Sequence, residues 1–145
     1  MPPGTYDWRK QVSIERQVAE AWAAYAEGRK EEALAVMRRA ADLDDATEKH
    51  PVTPGAILPA REQLGELLVE LGKPDEALIA YESSLQRAPR RLVGLFGAAH
   101  SAKLAGDATK AQHYFAELAE MTKASDGSRA EIREARGEVA KLAQR

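Results

Sequence analysis

The chain has 145 residues, enough for one domain of ordinary size, with 44% hydrophobic and 30% charged residues. A formal charge of −2 excludes the basic footprint of a nucleic-acid or anionic-membrane binder, and no apolar run approaches the ~20 residues needed to cross a bilayer. The absence of cysteine excludes disulfides, zinc–thiolate sites and a cysteine nucleophile.

Alanine is abundant and β-branched residues are few, which favours helix. Residues 1–4 have neither the basic start nor the apolar core of a secretory signal, so a cytoplasmic location is the default expectation. The first helix is expected from near Asp7. Trp8, Val12, Ile14, Val18, Ala21, Trp22 and Tyr25 recur at three- and four-residue steps, and Gly28 ends the pattern. A second helix is expected over about 30–43, with Ala33, Leu34, Met37, Ala40 and Ala41 on its inner face.

The segment 45–55 then breaks the periodicity with two prolines and a glycine. Two starts are open for the third helix. Either Thr53 caps a helix that begins at Pro54 and is bent by Pro59, the preferred reading, or the helix begins near Ile57 with Pro59 in its first turn. It ends at Gly72. A fourth helix is expected from Pro74 to about Arg87, closed by Pro89, and a fifth over about 91–105. Gly94 and Gly97 lie inside the fifth, where their cost in helix stability is offset if a neighbour packs closely against them. The sixth begins at Asp107 and reaches about Thr122. The seventh follows a turn at 124–127, with Ser128 and Glu131 at capping-box spacing, and runs to about Gln144.

One pattern recurs along this series. Gly-x-x-x-x-Ala occurs at Gly28/Ala33, Gly72/Ala77 and Gly106/Ala111, each time between two helical stretches. The last two copies are 34 residues apart; the first two are 44 apart, so the array is interrupted once, by the proline-bounded insert. A fixed period of this length marks units that bury their apolar faces by stacking on one another.

Period and motif resemble the tetratricopeptide repeat. In the second unit Leu64, Gly65 and Leu68 occupy the family's Leu-Gly-x-x-Tyr region, with leucine for tyrosine. Ala77, Tyr81, Ser84 and Pro89 fill its later positions. Ala99, Ala111 and Phe115 fill equivalent places in the third unit, and Ala21, Ala33, Met37 and Ala40 in the first, which lacks the closing proline. The resemblance implies an all-α, right-handed α-α superhelix: three helical hairpins at about 12–45, 54–89 and 90–123, then a capping helix at about 128–144. A narrower similarity, over Ala40, Asp42, Asp45, Pro51, Pro54 and Arg61, is to the C-terminal region of longer bacterial repeat proteins of unassigned function. It implies a segment or shortened relative of a longer array.

In this family the first helix of each unit lines a concave groove. Counting from each unit's start assigns to it Val18, Trp22 and Tyr25, then Glu62, Glu66, Val69 and Glu70, then Phe96, His100 and Lys103. Those residues describe a peptide groove with an aromatic wall and an acidic middle, suited to a basic-hydrophobic segment of a protein partner. Against this stands the reading that Trp22 and Phe96 pack against the N-terminal arm or the C-terminal helix. The carboxylate clamp of some family members is missing, because Val18, Trp22 and acidic residues stand at its positions. Glu62, Glu66 and Glu70 at i, i+4 and i+8 read as one acidic face, with Arg61 or Lys73 available to relieve its repulsion.

Two rivals remain open. One is a metal-dependent or acid–base enzyme using Glu62, Glu66 and His100, although no His-x-x-x-His pair, serine triad or phosphate loop is present. The other is a structural end segment of a longer array. No cofactor is expected, and an oligomer is left open. His50 is read as ordering the insert, and Arg87, Arg90 and Arg91 as complementing the end of the fourth helix.

Overall fold

A computed structural model describes residues 7–47 and 58–144. Within them the chain forms seven helices and no strand: α1 (Trp8–Ala26), α2 (Lys30–Asp45), α3 (Ala60–Glu70), α4 (Pro74–Arg87), α5 (Leu92–Ala105), α6 (Ala108–Met121) and α7 (Ala130–Ala143). Each helix packs against its neighbours in the chain, and α3 also touches both α1 and α5. The helices that open successive hairpins thus lie side by side, as in an α-α superhelix.

The three Gly-x-x-x-x-Ala copies build the same turn three times. Gly28, Gly72 and Gly106 have φ of 82°, 70° and 82°, a left-handed conformation that glycine adopts without steric cost. After each glycine the next N–H returns to a carbonyl five residues back: Arg29 to Ala24 at 2.9 Å, Lys73 to Leu68 at 2.8 Å and Asp107 to Ala102 at 2.9 Å. This Schellman closure satisfies carbonyls that the helix end would leave open. Five residues on, Ala33, Ala77 and Ala111 are buried where the two helices of a hairpin meet. Asp7 and Asp107 cap α1 and α6 by accepting backbone N–H bonds, and Pro74 begins α4.

The glycines of α5 are close-approach positions. The buried Tyr81 ring of α4 is held between α3 and α5. A Cβ at Gly65 would stand 2.6 Å from one ring edge, and one at Gly97 2.2 Å from the other. A Cβ at Gly94 would stand 2.9 Å from Leu85 and 3.1 Å from the Glu62 carboxylate.

Two helix starts differ from the sequence reading. Pro59 neither bends α3 nor lies in its first turn: it is the residue before the helix, with extended ψ of 136°. The start at Ala60 is fixed from outside, because the buried Asp44 of α2 accepts the Ala60 N–H at 3.1 Å. Beside it Arg61 binds Asp42 and Asp45 at 2.8 and 2.5 Å, and Arg87 binds Asp45 at 2.7 Å. The acidic end of α2 therefore clamps the start of α3. Thr53, Pro54 and His50 lie outside the described residues. The Ser128–Glu131 capping box does not form either. Arg129 precedes α7 in an extended conformation, Glu131 pairs with Arg129 at 3.0 Å, and the Ser128 N–H goes to Asp126. Arg136 instead secures the turn, donating to the carbonyls of Thr122 and Ser125 at 2.7 and 3.0 Å.

Candidate functional site

The face shared by α1 and α3 carries the aromatic residues singled out by sequence. Trp22 and Tyr25 are half-buried and meet edge to face at a centroid distance of 5.9 Å. The Trp22 indole N–H donates to Gln63 Oε1 at 2.8 Å, and the Tyr25 hydroxyl donates to Glu70 at 3.3 Å. Loss of water contact, then the Glu70 charge, holds the Tyr25 hydroxyl above its ordinary pKa. These bonds lock both rings in one orientation. Val18 and Val69 pack partly against the core beside them. Glu66 is exposed and makes no ion pair among the described residues. The surface is an ordered aromatic–aliphatic wall next to two exposed carboxylates.

Glu62 does not belong to that surface. Its side chain is 1% exposed, and Arg91 holds it at 2.8 Å from Nε and 3.2 Å from a terminal nitrogen. Ser84 adds a bond at 3.3 Å. The physical reason is helical drift: each four-residue step overshoots a turn by about 40°, so the row Glu62–Glu66–Glu70 winds from the helix contact outward. The expected relief of Glu62 by Arg61 or Lys73 is therefore corrected. Arg61 serves Asp42 and Asp45, and Lys73 serves Glu76. Arg87 stands in the last turn of α4, where its charge complements the helix end as expected, whereas Arg91 lies beyond α4. They reach back to Asp45 and Glu62.

The third-unit residues face inward or toward α7. Phe96 stacks on His100 at 5.7 Å and meets the buried Phe115 edge to face at 6.5 Å. His100 Nδ1 is 3.9 Å from Glu134. Lys103 pairs with Glu134 at 3.6 Å and Glu138 at 3.1 Å. Lys141 then Lys103 hold the Glu138 carboxyl below the usual range. Sequence reasoning missed Gln63, Glu134 and Glu138, whose roles depend on which helix lies opposite. Glu62 is held by Arg91, the buried His100 Nδ1 has no hydrogen-bond partner among the described residues, and no three His, Asp or Glu side chains among them gather as a metal-ligand set.

Residues 58–91, spanning α3, α4 and the following turn, match the family model described as tetratricopeptide repeat. The chain carries a tetratricopeptide repeat. The chain as a whole also resembles solved structures in fold. PcrH from Pseudomonas aeruginosa aligns over 90% of this chain and 92% of that one, at 17% identity and a TM-score of 0.67. PcrH in complex with the chaperone binding region of PopD aligns over 99% and 98%, at 18% identity and a TM-score of 0.70. The Yersinia enterocolitica type III secretion translocator chaperone SycD, in an alternative dimer, aligns over 91% and 89%, at 19% identity and a TM-score of 0.63. At these identities the likeness is one of fold. No curated protein matches the chain. No helix among the described residues is long and apolar enough to cross a membrane.

Proposed function

We propose that this tetratricopeptide-repeat protein is a non-catalytic module that binds a segment of a protein partner along the face shared by α1 and α3. The observation that carries the reading is the Trp22–Gln63 bond with the Trp22–Tyr25 edge contact. It orders two aromatic rings beside the exposed Glu66 and Glu70 without burying them. Pre-ordered aromatic side chains lose little entropy on binding and commonly dominate interface energetics. The adjacent carboxylates favour a basic residue in a segment with apolar anchors. Lys103 and His100 face α7, so the partner-facing set narrows to Val18, Trp22, Tyr25, Glu66, Val69 and Glu70. The PcrH neighbour supports the reading by analogy, since one of its structures holds the chaperone binding region of PopD.

A displayed library of basic-hydrophobic peptides tests it. Peptides selected by the full chain should lose about tenfold in affinity or more on Trp22→Ala, and a smaller factor on Glu66→Lys. Glu66 is exposed, so its replacement leaves the fold intact. Failure to select any peptide, or indifference to both substitutions, would overturn the assignment.

A further inference from the structure

The seam between α3 and α5 carries a hydroxyl that the fold itself does not use. Tyr81 belongs to α4, which packs against both α3 and α5, yet its ring passes between those two helices. A Cβ at Gly65 would stand 2.7 Å from ring carbon Cζ, and one at Gly97 2.3 Å from the same atom. Glycine at both positions lets the ring reach this far, since a side chain at either would occupy its place. Cζ carries the hydroxyl, so the oxygen lies on the side of the seam away from α4. The exposed Glu66, next in sequence to Gly65, carries its charge close to that oxygen.

Tyr81 is only 5% exposed. Its hydroxyl forms no hydrogen bond among the described residues. Nor is it one of the wholly buried polar atoms there that lack a partner, which are His100 Nδ1 and Ser101 Oγ. The oxygen therefore keeps contact with solvent while the ring is enclosed. Burial first, then the charges of Glu66 and Glu62, hold the hydroxyl above its ordinary pKa, so it stays protonated at neutral pH. It is a hydrogen-bond donor in want of an acceptor. The exposed Glu66 and Glu70 disfavour an anion there. The neutral acceptor that a protein segment offers is the amide carbonyl.

We propose that Tyr81 is a recognition residue whose hydroxyl donates to an amide carbonyl of the bound segment at the Gly65–Gly97 seam, a role that rests on the groove reading above for its occupant.

Tyr81→Phe removes the oxygen and keeps the ring, so the urea midpoint should stay at the wild-type value. N-methylacetamide, the smallest secondary amide, probes the site without any peptide. Titrated into the full chain carrying 13C-labelled tyrosine, it should shift the Tyr81 Cζ resonance saturably; acetate should not. Tyr81→Phe identifies that resonance by its loss. Peptides selected by the full chain should bind Tyr81→Phe about fivefold more weakly. An ester in place of one peptide amide weakens that carbonyl as an acceptor. If the carbonyl is main-chain, one such ester should cost affinity for the wild type and none for Tyr81→Phe. If it belongs to an Asn or Gln side chain, replacing that residue should do the same. Peptides that weaken on Trp22→Ala but not on Tyr81→Phe overturn the proposal and leave the groove reading standing. A saturable amide shift with no peptide selected supports the Tyr81 site and overturns the groove reading. The absence of a saturable amide shift overturns the proposal. So does an equal response to acetate, or a urea midpoint lowered by Tyr81→Phe.

Discussion

Gly97→Ala separates two opposed effects of one methyl group. Alanine in place of glycine inside a helix gains about 1 kcal/mol from propensity alone. At Gly97 the added Cβ would stand 2.2, 2.3 and 2.6 Å from three carbons of the Tyr81 ring. Optimal carbon–carbon contacts lie at about 3.5–4.0 Å, so the overlap exceeds 1 Å at the nearest atom. The ring cannot retreat, because its opposite edge already lies against Gly65, where a Cβ would be 2.6 Å away. Overpacking a tight core costs about 1–3 kcal/mol, and this geometry belongs at the upper end. The net expectation is destabilisation by about 2 kcal/mol, measured as a fall in the urea midpoint by circular dichroism. Removing the ring reverses the sign. In a Tyr81→Ala background, itself about 3–5 kcal/mol less stable, Gly97→Ala should stabilise by about 1 kcal/mol. The coupling between the two sites is then about 3 kcal/mol. If Gly97→Ala is neutral or stabilising with Tyr81 in place, or destabilises equally without it, the ring does not fill the space between α3 and α5.

Arg91→Ala should destabilise by about 3–5 kcal/mol, since it strands the buried Glu62 carboxylate, whereas Glu62→Gln should cost less; equal urea midpoints for Arg91→Ala and wild type would remove that pair from the fold's support. The docking of α7 should depend on pH. Lys141 and Lys103 depress the folded-state pKa of Glu138, so its contribution is fully present above the unfolded value of about 4.3 and is lost as pH falls through the folded value. Hydrogen exchange in α7 should accordingly rise relative to α3 below about pH 4, and also at high salt because the pairs are exposed. An α7 whose protection follows that of α3 throughout would refute this role.

What sequence alone determines here is local. The Gly-x-x-x-x-Ala turns, the Asp7 and Asp107 caps and the start of α4 at Pro74 are closed by groups within five residues of one another. Their formation needs no knowledge of the rest of the chain. The repeat period carries the all-α array in the same way, because each hairpin repeats one local solution. The aromatic wall was legible as a face, since Val18, Trp22 and Tyr25 follow helical spacing. Its fixing by Gln63 and Glu70, 41 and 45 residues away, was not. Only the tertiary structure decided that α3 starts at Ala60, where Asp44 supplies the missing acceptor, and that Glu62 turns inward to Arg91. It likewise gave His100 and Lys103 to α7 rather than to an open groove. In each case the outcome depends on the angle between helices that are distant in sequence. Spacing along one helix says which residues share a face. Packing between helices says whether that face meets water, another helix or a partner.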